Sequence, residues 1–474
     1  MDEQPNDTSK PGLMLQGWAW DTPDDGSYWQ TAAGRAAEWA DLGFTEVWLP
    51  PACKGNGGAA DSGYALYDLW DLGAFDQKGS VRTKYGTEQQ YIDCVAALAG
   101  AGLKPLADIV LNHRMGADET EAFLVQRVCK DDRLREEGEP FEVQGWTKYT
   151  FPGRGSERSD FQWRWYHFTA IDAAADHELD DDAIYRIAEL GFADDVGEDA
   201  ANADFLMGCD VALCKPDVAE HLIGWGKWFL AHTHIQGFRV DASKHMSASF
   251  QSRFIQAMRD DARAELPAVC EFATPDLDEV LAFIEETDGR LRCFDFPLKY
   301  KMLAAANAGG ACDLRALADD TLMTRCPEQA VTFVDNHDSE PAQHPDAPEW
   351  IADGFKPLCY AYILLREAGT PCVFVQDLDG PLGGVLRRLI ELRRDFGFGE
   401  QRDFAPEPQR IAWLRAGTDD HPGAMVVVLN AAGDGAVRVE TGRANTRFVN
   451  AFDDAIELTP ATMAPPISTA PPAP

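Results

Sequence analysis

The sequence predicts an α/β fold: a (β/α)8 barrel with an irregular β insertion after strand 3 and a small C-terminal antiparallel β-sandwich. Three observations predict it. Eight short apolar runs each have a helical stretch after them, an alternation that implies parallel strands joined by helical crossovers. The unit recurs over roughly 390 residues, more than eight units need, which leaves room for one insertion. Beyond residue 400 the pattern changes to period two. An open doubly wound sheet is the rival arrangement of the same elements.

The elements follow in order. "GLMLQGW" (12–18) precedes a helix near 28–42, and "TEVWLPPA" (45–52) precedes a loop and a helix near 87–101. "KPLADIVLNH" (104–113) is followed by about a hundred residues rich in Trp, Gly and Asp, with little helical periodicity. A helix near 216–233 aligns Val218, Leu222, Trp225 and Phe229 on one face. "IQGFRVDA" (235–242) and "AVCEF" (268–272) precede helices near 247–265 and 276–286. "LRCFDFPL" (291–298) precedes a helix near 313–323, and "QAVTFVDNHD" (329–338) one near 349–367. "TPCVFVQD" (370–377) is followed by "GGVLRRLIELRRDF". The runs "RIAWLR", "AMVVVLN", "AVRVE" and "RFVNAF" alternate like strands of a small sandwich. The expected units are therefore a barrel over 12–113 and 215–398, an inserted domain over 114–214, a β-sandwich over 399–460 and a disordered Pro-rich tail over 461–474.

The chain of 474 residues is 45% hydrophobic, enough for a large core, and its net charge is −37. Such a surface repels phosphate backbones, which excludes nucleic acid as an expected partner. Fewer than a third of the 42 basic residues are Lys, a pattern expected from a saline habitat or from base-composition bias. Eleven Cys without a C-x-x-C motif read as buried free thiols of a reducing compartment. No apolar run is long enough to span a bilayer, so no membrane partner is expected. The N-terminus has neither a basic nor an apolar leader region. A cytoplasmic location is expected, or a secreted one for a chain that has lost its leader.

Chemistry in such barrels sits at the C-terminal ends of the strands. There the chain places Asn112 and His113, then Arg239 and Asp241, then Glu271, then Asn336, His337 and Asp338. A single carboxylate at a strand end is more often a helix cap than a catalyst. Three at one rim repel each other and need a stronger reason. Residues i and i+2 of a strand share a face, so Arg239 is expected to keep Asp241 ionised and oriented. An ionised, positioned carboxylate is what a glycosidase needs as nucleophile. Glu271, flanked by Cys270 and Phe272, is expected to be desolvated and protonated, as a general acid requires. Neighbouring strands lie about 4.8 Å apart, which makes the roughly 5–5.5 Å carboxylate separation of retaining enzymes reachable.

"ADIVLNH", "GFRVDASKH", "VCEF" and "FVDNHD" resemble the four ordered motifs of the α-amylase family, glycoside hydrolase family 13. "MLQGWAWDTPDDGSYW", "VWLPPACKG", "GYALYDLWDLGAFDQKGSVRTKYGT", "YTFPGRG" and "SDFQWRWYHF" resemble the liquefying bacterial type more narrowly. The likeness covers about residues 12–375. It implies that Asp241 is the nucleophile, that Glu271 is the acid and base, and that Asp338 binds sugar hydroxyls and favours the distorted ring. It further implies that His113, His337 and Arg239 contact the reacting sugar and that Tyr64 stacks beneath it. Lys244 and His245 would face the leaving-group side. One Ca2+ is implied where the insertion meets the barrel, on Asn112, Asp204, Asp210 and the backbone carbonyl of His245. No second metal cluster is implied, since Ala212, Cys214 and Thr169 stand where relatives carry further acidic groups. "FVQDLDG" at the end of strand eight differs from the Tyr-Gly-Asp-like stretch of relatives. Trp146, Trp163 and Trp165 of the insertion are expected as core rather than sugar platforms. The expected activity is an endo-acting, retaining α-1,4-glucan hydrolase, a monomer acting on starch, glycogen or maltodextrins. An α-glucan transglycosylase and a catalytically silent binding or assembly barrel are the alternatives.

Overall fold

The computed structural model describes residues 11–180, 183–343, 349–433, 435–453 and 457–458. Eight parallel strands close into a barrel. They are β1 (Met14–Gln16), β2 (Glu46–Leu49), β3 (Lys104–Ile109), β4 (Phe238–Val240), β5 (Ala268–Cys270), β6 (Arg292–Phe294), β7 (Ala330–Phe333) and β8 (Thr370–Phe374). Neighbours in sequence are neighbours in space, and β1 pairs with both β2 and β8, Met14 lying opposite Glu46 and Cys372. Closure rules out the open sheet, and it explains why the strands are apolar on both faces.

The helices outside the barrel are α1 (Tyr28–Leu42), α2 (Glu88–Gly100), α3 (Pro216–Thr233), α4 (Ala248–Ala262), α5 (Leu277–Glu286), α6 (Phe296–Ala308), α7 (Lys356–Leu365) and α8 (Gly383–Phe396). The expected face of α3 is the buried one: Val218, Leu222, Trp225 and Phe229 are all nearly inaccessible. The helix after β6 corrects the sequence reading. It begins at Phe296, because Asp295 caps it by accepting a hydrogen bond from the Leu298 amide and Pro297 sits in its first turn. Residues near 313–323 form only the 3-10 turn Leu314–Ala318 and the start of a four-residue helix, Leu322–Arg325. The same Asp295 carboxylate accepts from the amides of Leu322 and Met323, so one buried acid anchors two helix starts. Similarly, α7 begins seven residues later than its periodicity suggests, with Pro357 in its first turn.

The segment between β3 and α3 carries an antiparallel sheet of five strands, centred on Glu119–Cys129. Its entry, His113–Arg114, pairs with its exit, Cys209–Asp210, directly above the rim. That pairing brings Asn112 and His113 beside Asp210, although they are far apart in the chain. Trp163 is a buried filler here, whereas Trp146 is exposed. Near the C-terminus, Gln401–Glu407, Arg410–Arg415 and Met425–Asn430 form an antiparallel sheet, and Phe448–Val449 pairs with Glu457–Leu458. The sheet docks on α7 through buried Trp413, whose indole N–H donates to the Leu365 carbonyl. Residues 436–440, expected as a strand, are irregular: Val437 and Val439 are only half-buried and, among the described residues, pair with no strand. The Pro-rich tail lies outside the described residues.

Candidate active site

At the C-terminal mouth of the barrel lies a cavity of about 250 Å³, lined by residues that include Tyr64, His113, Asp241, Glu271, His337 and Asp338. The strand ends thus bring together the charged residues that their motifs scatter over more than two hundred positions.

Arg239 is the hub. It is 1% exposed, and its guanidinium donates to Asp241 Oδ1 at 2.6 Å, Glu271 Oε2 at 2.6 Å, and Asp108 Oδ1 and Oδ2 at 2.9 and 3.1 Å. The expected pairing with Asp241 exists, but the cation is shared by three carboxylates. Asp108 also accepts from the Tyr64 hydroxyl at 2.6 Å and from the Trp48 indole at 2.9 Å. It therefore fixes Arg239 and the Tyr64 ring together. Burial pushes Asp241 well above the usual carboxylate range, and Glu271 and Asp108 add to the push, while Arg239 opposes it. Burial likewise raises Asp108.

The expected desolvating shell of Glu271 is not built from its sequence neighbours. Cys270 turns to Cys293 on the adjacent strand, with the sulfurs 3.3 Å apart, and Phe272 packs on Phe283. Glu271 is held instead by Arg239 and by the Ala242 amide at 3.3 Å.

Both rim histidines are neutral. Burial lowers His113 to about 4, and burial together with Arg239 holds His337 well below the usual imidazole range. The His113 Nε2–H donates to the Tyr64 carbonyl at 2.8 Å, since a carbonyl only accepts. The Gln16 amide donates to His337 Nδ1 at 3.1 Å, which leaves Nε2–H facing Asp338 Oδ2 at 3.2 Å. Trp20, Tyr64 and His337 stand nearly parallel, with planes 5–11° apart and centroids 5.4–5.9 Å apart. The three centroids form a near-equilateral triangle, a cluster of parallel π faces that could pack on the apolar face of a ring-shaped ligand. Lys244 also lines this cavity; its ammonium donates to the Ala273 carbonyl at 2.7 Å and pairs with Asp199. The His245 ring contacts the Ala203 carbonyl at 2.5 Å.

Asp338 is pushed up to about 8 by burial first, then by Glu271, against Arg239. Its side chain keeps 43% of its surface open to the pocket, so entering water weakens the push. A carboxyl whose folded pKa is raised contributes stability at low pH that is lost as pH rises through the folded value. Asp338→Asn should therefore melt at or above the native temperature, with the gap widening from pH 7 to pH 9. Melting curves across that range check this, and a gap that narrows would refute it.

The residues expected to hold a metal lie where the insertion meets the barrel. Asp210 and Asp204 are nearly fully buried and close enough to hydrogen-bond each other. Asn112 Nδ2 donates to Asp210 Oδ1 at 3.3 Å, and the Thr169 hydroxyl donates to Asp210 Oδ2. Burial raises Asp204 to about 7 and Asp210 well above its usual range. Among the described residues, no three or more His, Cys, Asp or Glu side chains gather as a metal cage. Two desolvated carboxylates within hydrogen-bond reach of each other, beside the Asn112 amide, nevertheless fit a hard cation with oxygen preference.

Sequence reasoning missed Gln16, Trp20 and Asp108. The signals were present: Gln16, Trp18 and Trp20 share the period-two spacing of one strand face, and Asp108 is a carboxylate inside an apolar strand, the same anomaly that Arg239 presents.

No family model matches the chain. It is 40% identical over 443 residues to an α-amylase of Geobacillus stearothermophilus, covering 91% of this chain and 80% of that one. It is 39% identical over 450 residues to the cytoplasmic α-amylase of Escherichia coli (strain K12), covering 90% of each. Among solved structures, the α-amylase of Geobacillus thermoleovorans complexed with acarbose superposes with a TM-score of 0.58 at 16% identity, covering 90% of this chain and 87% of that one, a likeness of fold.

Proposed function

The chain belongs to the α-amylase family of glycoside hydrolases, and we propose from this that its barrel mouth cleaves internal α-1,4 bonds of starch, glycogen or maltodextrins with retention of configuration. One observation carries the reading: Asp241 and Glu271 are bridged by a single guanidinium, so both reach the same glycosidic linkage, and Asp338 shares the cavity with them.

In this mechanism a sugar ring lies on Tyr64 with His113, His337 and Arg239 at its hydroxyls. Asp241 attacks the anomeric carbon while Glu271 gives its proton to the leaving oxygen, which breaks the glycosidic bond and forms a β-glycosyl ester. Glu271, now a carboxylate, removes a proton from water. The water oxygen attacks the same carbon, Asp241 leaves, and the α-anomer is released. Asp338 hydrogen-bonds sugar hydroxyls and favours the flattened ring. Lys244 and His245 border the leaving-group side.

Asn112, Asp204, Asp210 and the His245 carbonyl would hold a Ca2+ ion, which supplies charge neutralisation where the insertion joins the barrel. A monomer is the state proposed for it. A cytoplasmic location is supported by the Escherichia coli relative and by eleven free cysteines. Among the described residues, no helix is long and apolar enough to cross a membrane.

A time course on amylose tests the function. Rapid loss of chain length with α-anomeric reducing ends is expected, and chelation should lower the melting temperature by roughly 5 °C. Redistribution of short oligosaccharides without net reducing ends would favour the transglycosylase. A melting curve indifferent to chelator would remove the calcium.

A further inference from the structure

Beneath the turn that carries His337 and Asp338 lies a group of buried charges that the chemistry above does not use. Asp335 and Lys356 are inaccessible, and the Lys299 side chain is 2% exposed. Asp335 Oδ1 accepts from Lys299 and, at 3.0 Å, from the Ser339 hydroxyl. Asp335 Oδ2 accepts from Lys356 at 3.0 Å and from the Ile351 amide at 3.2 Å. Lys356 also donates to Asp377 Oδ1 at 2.7 Å, and Asp377 Oδ2 takes the Tyr360 hydroxyl at 2.7 Å. Lys299 reaches the Glu349 carbonyl at 2.7 Å, and the Trp350 ring covers Lys356 Nζ at 3.0 Å.

The group is neutral as a whole, two lysines against two aspartates. Apolar side chains of the same volume would pack at least as favourably, because burying ions costs several kcal/mol each. What charges add is direction, since charge-assisted hydrogen bonds hold their partners at fixed angles and apolar contacts do not. The directions converge on one turn. Ser339 binds Asp335 with its hydroxyl, receives the Asn336 amide on the same oxygen at 3.0 Å, and gives its own amide to Asn336 Oδ1 at 3.0 Å. His337 and Asp338 are the two residues enclosed by that double bond. The network also joins α6, the segment before α7, α7 itself and the residues after β8, so it fixes the turn against four pieces of the rim.

We propose that Lys299, Asp335, Lys356 and Asp377 are positioning residues that act through Ser339 to hold Asp338 and His337 in the geometry of the transition state. The inference rests on the role proposed for Asp338 above.

The test compares Ser339→Ala, the charge-balanced double variant Lys356→Met with Asp377→Asn, and Asp338→Asn. For each, kcat and KM on a maltooligosaccharide, acarbose affinity and the melting temperature are measured. Ser339→Ala and the double variant should each lose about tenfold or more in kcat and in acarbose affinity, with KM within about twofold of native. A merely structural role would move the melting temperature and leave kcat of the folded protein and acarbose affinity unchanged, and that result overturns the proposal. Should the double variant fail to fold, Ser339→Ala decides alone, since it removes one hydroxyl and no charge. If Asp338→Asn keeps native kcat, the reading of the site itself falls. If Asp338→Asn is inactive while the others match native, only the positioning role falls.

Discussion

Asp241→Asn should lower kcat by about 10⁴-fold or more, without loss of the fold. The amide is isosteric and its oxygen still accepts from Arg239, but it cannot form the glycosyl ester. The stability side has a definite sign. Burial and two neighbouring carboxyls raise Asp241 in the folded state. A raised carboxyl costs the native state stability at every pH above the ordinary carboxylate range, because ionisation is then easier in the unfolded chain. Removing the charge removes that cost. The variant should thus melt no lower than native at neutral pH, and higher as the pH rises. Product release from amylose, together with melting curves at pH 6 and pH 8, checks both halves. Turnover within tenfold of native would take Asp241 out of the mechanism.

Arg239→Met should cost both activity and stability. Methionine keeps the apolar stem against Trp48, over whose ring the guanidinium now sits at 4.8 Å. It strips the cation from Asp108, Asp241 and Glu271 at once. Breaking a buried ion pair by deleting one partner typically costs about 3–5 kcal/mol, and kcat should fall about 10³-fold as the nucleophile and acid lose their common anchor. The loss should be greatest at alkaline pH, where ionised acids are left without their cation, and shrink on acidification as protons replace it, since burial raises Asp108 and Asp241. Urea unfolding at pH 5 and pH 8 reads this. A destabilisation that is the same at both values would show that packing, not charge, is what Arg239 supplies. Arg239→Lys should recover part of the stability and little of the activity, since an ammonium cannot fork to three carboxylates.

The barrel was legible because each strand is an apolar run between turn signals, and a closed barrel buries both faces of its strands. The element after β6 was not, since "LRCFDFPL" reads through Asp295 as one apolar run when that acid is the cap on which two helices start. The charged rim was legible for a related reason: Arg239 and Asp241 are conspicuous in an apolar strand. Asp108 is equally conspicuous, but its Trp48, Tyr64 and Arg239 partners come from three other segments, and only closure brings them together. The sequence neighbours of Glu271 also have packing partners of their own, Cys270 on Cys293 and Phe272 on Phe283, which no local pattern signals. The insertion offered little helical periodicity and read only as an irregular β domain. The placement of Asp204 and Asp210 beside Asn112 depends on the short pairing of His113–Arg114 with Cys209–Asp210, which no local pattern announces.

The pairing of β1 with β8 sets the order in which this chain can fold. Met14 must wait for Cys372, so β1 keeps an open hydrogen-bonding edge until a strand that follows it by more than three hundred residues has been made. Contacts of such sequence separation form slowly, and an unsealed edge recruits other chains in the meantime. Yield from rapid expression should therefore be limited by aggregation of nascent chains, and slower synthesis at lower temperature is the remedy that this topology favours.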